Sequence, residues 1–410
     1  MLALRLARGA HPLLQLRRLL VAAASAGTGF LLLCTLGHAM GHPDAPGGSA
    51  LRLAWCAAPG AATVYFAVAV ARTDPGTRPR SGLAAIGLGP ARLTALSAVT
   101  TALSTLLGSL LALLVFLHLR GDLPGLPFGG AAAGFLAADR PLPLPAALTL
   151  LSLVPIAAST AAALALRPGN GGPRPAGRRG RARTAPGGDG TPDAPPSGPD
   201  ETPVPDPPTA PRPAPGGLPW GVAALAAGLA VEAYASRPGP ALHLSGGLPS
   251  GQVGVSAGWA LTALGLVLAA PAVAHLCGRL LQAVRPGALR LLAGRGLQED
   301  ARRIGRPLGV VCAVASGTYA MAAYADARPS FGPLTTLGAV LVAGCTLATL
   351  ATASVEARQT HADTVAALVR LGAPATVLRT AALLRAGVLV AVFAPLTWVV
   401  AELAAVPLAS

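Results

Sequence analysis

The chain has 410 residues, of which 53% are hydrophobic and only 11% are charged. A soluble domain carries about 25% charged residues, so this composition excludes an ordinary soluble protein. The formal net charge is +15 at pH 7, and all 31 basic residues are arginine. The first question is therefore whether the apolar residues are grouped into segments that can cross a lipid bilayer.

Nine apolar stretches follow one another along the chain, separated by short polar loops. A helix needs about 20 apolar residues to cross the hydrocarbon core, and it satisfies its own backbone polar groups in lipid. The sequence therefore predicts an all-α, polytopic integral membrane protein with about nine transmembrane helices. The predicted spans are residues 19–40, 53–71, 93–119, 144–166, 218–235, 253–276, 308–325, 334–355 and 380–406.

The arginines fall on alternate loops. With the amino terminus in the cytoplasm, 25 arginines are cytoplasmic, 5 are outside and one, Arg385, lies inside the ninth span. The positive-inside rule then predicts a multi-pass protein of the cell membrane with its carboxyl terminus outside. Contact with anionic inner-leaflet lipid accounts for the net charge, so we expect no nucleic acid partner. A signal peptide over residues 1–40 is the alternative, although this apolar run is longer than a signal-peptide core.

Residues 167–217 differ from the rest of the chain. They are rich in Pro, Gly and Arg and contain few residues that a core could bury. Such a composition predicts a disordered cytoplasmic linker. The predicted organisation is a first four-helix unit (1–166), the linker (167–217), a transmembrane hairpin (218–280) and a second unit (281–410) that lacks a counterpart of the first unit's last helix.

The two units repeat each other. Residues 4–9, LRLARG, recur as residues 289–294, LRLLAG, and residues 81–91 before the third span recur as residues 364–375 before the ninth. Each copy of the second motif predicts a short amphipathic cytoplasmic helix that breaks at a Leu-Gly pair. Repeated bundles are a common way to build transporters, with function at the interface between the halves.

The second of these loops, residues 356–380, has a charged entry, an apolar run, Leu-Gly-Ala and then a long span. It resembles the cytoplasmic loop of FtsX-like permeases, the membrane subunits of MacB-type ABC transporters. Family members often carry a large external domain, whereas the outer loops here are short. The resemblance implies a separate ATP-binding subunit as partner. The chain is not expected to be an enzyme, because without lysine it has no GxxxxGK[ST] phosphate loop.

The resemblance also implies which residues act. The loops would press on the ATPase and pass its closure to the spans, with the Leu-Gly pairs as bends and the arginines as polar contacts. The alternative is that these arginines only set topology. The residues concerned are Arg78, Arg80, Leu88, Gly89 and Arg92 in the first copy, and Arg358, Arg370, Leu371, Gly372 and Arg379 in the second.

Two charged residues interrupt apolar runs and are candidates for a functional role. A charge inside the membrane is costly, so Glu232 and Arg385 stand out. Each lies near the end of its span, and we expect them to extend to opposite interfaces rather than form a buried pair. The five cysteines form no CxxC motif. No catalytic residue, metal site or cofactor is predicted.

The function predicted is that of a permease subunit in an ABC-type exporter. The alternative is a non-transporting FtsX-like protein that regulates or scaffolds an ATPase or an envelope enzyme. A neighbouring gene for an ATPase would favour the first. The substrate is not predicted, and the sequence leaves open both a homodimer and a tenth span.

Overall fold

The computed structural model describes residues 12–44, 46–73, 90–123, 130, 132–134, 136–167, 216–237, 243–244, 248–283, 287–327, 333–370, 372 and 374–409. These residues form ten α-helices and one pair of two-residue strands. The elements are α1 (Pro12–Gly41), α2 (Pro46–Trp55), α3 (Ala57–Thr73), α4 (Pro90–Arg120), α5 (Leu144–Leu166), α6 (Leu218–Ala235), β1 (His243–Leu244), β2 (Leu248–Pro249), α7 (Ser250–Ala283), α8 (Ala288–Ala327), α9 (Pro333–Arg370) and α10 (Ala375–Ala409).

The helices confirm the all-α, multi-pass prediction. Within the described residues, eight helical segments are long and apolar enough to cross a membrane. They match eight of the nine predicted spans, and α2 and α3 together form one of them, Pro46–Thr73. The remaining predicted span is the seventh, residues 308–325, and it forms the carboxyl-terminal part of α8. The described helices belong to one compact unit that takes in residues 1–166 and 214–410. Nearly all of the predicted linker lies outside the described residues.

The first four spans pack closely because small residues line their contacts. A side chain at Gly108 of α4 would overlap the carbonyl oxygen of Ala22 in α1, so the two backbones touch here. Ser25 Oγ donates a hydrogen bond to the carbonyl of Thr105 at 2.8 Å. Ser109 Oγ likewise donates to the carbonyl of Leu151 in α5 at 3.1 Å. Small residues and short hydroxyl bonds therefore hold α1, α4 and α5 together.

In the second half, α7 lies between α6 and α8. Its contacts with these two helices are the most extensive in the described fold. A Cβ added to Gly305 of α8 would lie 2.5 Å from Cα of Pro271 in α7, and one added to Gly265 of α7 would lie 2.5 Å from the Leu225 nitrogen of α6. On its other side α8 packs on α10. This pair corresponds in the sequence repeat to α1 and α4 of the first half.

The two halves meet through α9, which packs against α3 and α1. Cys345 of α9 shares a buried cluster with Phe66 of α3. Beside them the hydroxyls of Thr28 and Thr63 are hydrogen-bonded at 2.9 Å. The junction joins corresponding parts of the repeat, because α3 holds the second predicted span and α9 holds the eighth.

Helices α8 and α9 are longer than a bilayer requires. They have 40 and 38 residues, which at 1.5 Å per residue gives about 60 and 57 Å, against a hydrocarbon core of about 30 Å. The short separate helix expected after the eighth span is instead the continuation of α9. Residues 356–370 contain neither Gly nor Pro, so nothing in this stretch ends the helix.

Candidate functional site

The break between α9 and α10 lies where the sequence predicts a bend. Gly372 has a φ of +89°, a backbone conformation that side chains other than glycine adopt only with strain. Its N–H donates a hydrogen bond to the carbonyl of Val369 at 3.0 Å, which closes the end of α9. Pro374 immediately precedes α10 and fits the start of a helix. Gly372 and Pro374 together fix a tight turn between two long helices.

The predicted coupling residues of the second copy that the structure describes are exposed. Arg370 and Gly372 lie at the turn, and Arg379 follows in α10. Arg358 is exposed on α9 and lies about 18 Å along the helix from Arg370. In the first copy the structure describes Arg92, which is exposed at the start of α4. The remaining predicted residues, Arg78, Arg80, Leu88, Gly89 and Leu371, lie outside the described residues.

An ion pair that the sequence reading did not identify joins α9 to α8. Nε of Arg303 lies 4.0 Å from Oε1 of Glu356, just beyond the apolar stretch of α9. Such partly exposed pairs contribute about 0 to 1 kcal/mol, so this contact orients the helices more than it stabilises them. Spacing along one helix could not reveal this pair, because its two residues lie on different helices.

Arg385, near the start of the ninth predicted span, contacts the polar amino-terminal part of α8. Its Nη2 donates a hydrogen bond to the carbonyl of Leu292 in α8 at 3.1 Å. The guanidinium group covers Gly296, where any side chain would overlap it. Leu292 lies 16 residues, or about 24 Å, before the apolar stretch that begins at Leu308. Arg385 therefore ties α10 to the polar end of α8.

That end of α8 is amphipathic. Ala293, Leu297 and Ala301 are buried. The opposite face is strongly basic, because the arginines that it exposes outnumber its acidic residues. The ends of α7, α8 and α10 near Leu292, with the adjoining part of α9, are predicted from the arginine distribution to face the cytoplasm and are called the inner bundle below. The exposed arginines of α8 in the inner bundle are Arg290, Arg295, Arg302, Arg303 and Arg306.

Glu232 does not extend to the outer interface and does not pair with Arg385. Its side chain points from α6 into α7, where the residue is 1% exposed. Thr262 donates its hydroxyl to Oε1 at 3.1 Å. Oε2 is enclosed and has no hydrogen-bond partner among the described atoms. The structure thus places one of the two predicted intramembrane charges at a helix contact in the protein interior.

Two of the few arginines predicted to lie outside have structural contacts there. Nε of Arg120 lies 3.4 Å from Oδ2 of Asp122, and its Nη2 donates to the carbonyl of Arg140. Arg140 in turn donates to the carbonyl of Met40 at 2.6 Å. These bonds tie the loop after α4 to the ends of α1 and α4, so both arginines have structural contacts in addition to any effect on topology.

The described residues contain no group of three or more His, Cys, Asp or Glu side chains that could hold a metal ion. All five cysteines are buried and unpaired. No protein-family model, curated protein or solved structure matches the chain. A functional conclusion must therefore come from the helices and their contacts.

Proposed function

We propose that this chain is the membrane subunit of an ABC-type exporter and works with a separate ATP-binding subunit. The observation that carries the proposal is the α9–α10 turn. Helix α9 continues unbroken from its apolar stretch to Arg370. The chain then turns at Gly372 and enters α10, which leads into the next apolar stretch. A force applied at this turn acts on two spans at once.

Contacts in the inner bundle would carry that force further. Arg303 and Glu356 join α8 to α9, and Arg385 joins α8 to α10. Movement of the turn therefore also shifts α8, the helix that packs most extensively on α7. Closure of an ATPase against the turn would tilt a group of helices together, which is a mechanical change between two packings.

The resemblance to FtsX-like permeases supports the same proposal, because in that family the loop between two spans contacts the ATPase. The arrangement of the halves is compatible with it. Corresponding helices, α3 and α9, form the junction between the repeats, the place where transporters built from repeats carry out their function.

One observation favours the alternative, a non-transporting relative that regulates an ATPase or an envelope enzyme. Helices α1 and α9 are in close contact: a Cβ added to Gly27 would lie 2.6 Å from Cδ2 of Leu341. The Thr28–Thr63 hydroxyl pair fills the space beside it. This conformation leaves no room for a substrate between the two helices. Transport would require them to separate, whereas regulation would not.

The proposal is tested by changing the turn and asking whether the partner is lost. Gly372→Leu places a side chain on a backbone with positive φ, and Arg370→Glu reverses an exposed charge. Both lie outside the apolar stretches, so membrane insertion should be preserved. Binding of the ATP-binding subunit should weaken by about 1 to 3 kcal/mol, the usual range for interface disruption.

The measurements are expression level, co-purification of an ATPase with a phosphate-loop motif, and ATP hydrolysis by the complex. Gly387→Leu is the matched control, because Gly387 of α10 has no atom within 4 Å of an added Cβ and no positive φ. Wild-type expression and wild-type partner binding in the Gly372→Leu, Arg370→Glu double variant would refute the coupling role. If the turn variants change ATP hydrolysis by the complex but no substrate is transported, the regulatory alternative is favoured.

A further inference from the structure

The contact between α6 and α7 holds an acidic side chain in a space made by glycine. A Cβ added to Gly258 of α7 would lie 2.5 Å from Cγ of Glu232 and 3.0 Å from the carbonyl oxygen of Gly228. A larger residue at position 258 would therefore displace the glutamate. The two backbones approach closely here, and the carboxyl group is enclosed between them.

The two carboxyl oxygens have different surroundings. Oε1 accepts the hydroxyl proton of Thr262 in a hydrogen bond of 3.1 Å. Oε2 is equally enclosed, yet no described atom forms a hydrogen bond with it. One oxygen is therefore held by a donor, and the other is available to bind something small.

No described cation neutralises this carboxyl group. The helices packed on α6 are α7 and α10. The titratable or charged residues of α7 are near its inner end, and the nearest in sequence to Thr262 is His275, 13 residues or about 20 Å along the helix. On α10 such residues are Arg379, Arg385 and Glu402, of which Arg385 bonds to Leu292 and Glu402 accepts the hydroxyl of Tyr319 at 2.8 Å. Glu232 forms no ion pair with any of them in the described structure.

An ionised carboxylate in such a place would be very costly, since one hydrogen bond does not replace its hydration. A bound proton removes the charge. A metal ion fits less well, because hard cations require about six to eight oxygen ligands and the side chains here offer three oxygen atoms. The occupant that matches this space and this charge is a proton.

We propose that Glu232 and Thr262 form a proton-binding site in the contact between α6 and α7. The proton is held on Oε2 of Glu232, and the Thr262 hydroxyl keeps Oε1 as the carbonyl oxygen of the acid. Loss of the proton leaves a carboxylate that must be hydrated, so deprotonation requires water to enter or α6 to move away from α7. This inference does not depend on the proposed ATPase partner.

Infrared spectroscopy of the full-length protein in lipid vesicles tests the site, because a protonated carboxyl group has its own carbonyl stretching band. At neutral pH the wild type should show this band and Glu232→Gln should lack it. Glu402→Gln, which removes the acidic residue of α10, is the control and should keep the Glu232 band. Equal spectra for wild type and Glu232→Gln would overturn the proposal.

The role of Thr262 is tested separately, by the frequency of the Glu232 carbonyl band. Thr262→Val removes the hydroxyl with little change in volume. Because the carbonyl of Glu232 then loses its hydrogen-bond donor, its band should move to higher frequency, whereas Thr262→Ser, which keeps the hydroxyl, should leave the band at the wild-type frequency. An unchanged band in Thr262→Val would show that the threonine does not hold the acid.

If Glu232→Gln does not accumulate, the wild type provides the test. Dicyclohexylcarbodiimide, which reacts with protonated carboxyl groups in apolar surroundings, should modify Glu232 at neutral pH and less at strongly alkaline pH. Mass spectrometry that finds no adduct at Glu232 would then contradict the proposal.

Discussion

The contact between Arg385 and α8 predicts an unusual result for a glycine-to-alanine change. In an ordinary helix, replacing glycine by alanine stabilises the protein by about 0.5 to 1 kcal/mol. At Gly296 the added Cβ overlaps the guanidinium group of Arg385. That group is the end of a flexible side chain, so it will move away, and the loss is its hydrogen bond to Leu292 rather than a permanent clash.

A hydrogen bond from a charged donor contributes about 1.5 to 3 kcal/mol. Gly296→Ala should therefore destabilise the wild type by a net of about 0.5 to 2.5 kcal/mol, after the gain in helix propensity is subtracted. In an Arg385→Ala background there is no guanidinium group to displace. The same change should then stabilise the protein by about 0.5 to 1 kcal/mol.

The assay is reversible unfolding in mixed micelles, with the free energy of unfolding obtained for the four proteins of the double-mutant cycle. A change of sign between the two backgrounds supports the contact. Equal effects of Gly296→Ala in both backgrounds would show that Arg385 does not cover Gly296 in solution.

Three further predictions test packing, topology and the linker. Gly108→Ala should destabilise by about 1 to 3 kcal/mol in the same unfolding assay, because backbone atoms of α1 obstruct the added Cβ, whereas Gly344→Ala, which has open space, should not. For the topology, single cysteines are placed at Ser197 and Ser410 in a background without the native five, and intact cells are treated with an impermeant thiol reagent. Only the cysteine at position 410 should react, and labelling at position 197 would contradict the predicted topology. Deleting residues 189–208 should leave membrane accumulation unchanged, and loss of the protein would contradict the disordered-linker prediction.

The apolar runs predict the long helices, because a run of about 20 apolar residues has the length and composition of a membrane-crossing helix. It also located the turn at Gly372, since glycine is the residue that a positive φ favours. The continuity of α9 beyond its span is not predicted, because the repeat favours a separate short helix after residue 355. The signal was the run of residues 356–370 without Gly or Pro.

The contacts of the charged residues could not be predicted. Spacing along one helix says nothing about which carbonyl a guanidinium group reaches on another, so Leu292 was not identified as the partner of Arg385. Glu232 was expected to extend to lipid headgroups because it is near a helix end. The side chain of Glu232 instead points toward α7, where Gly258 leaves space for it and Thr262 provides a hydrogen-bond donor.

The proposed coupling role of the α9–α10 turn is tested most directly by a site-specific cross-link between this turn and the proposed ATP-binding subunit. Arg370→Cys, in a background without the native cysteines, would carry a short bifunctional reagent, with Ser236→Cys at the end of α6 as the control. Coupling through the turn predicts a cross-linked complex from position 370 that changes in yield when ATP is added, and none from position 236. A co-purified ATPase that never cross-links to position 370 would contradict it.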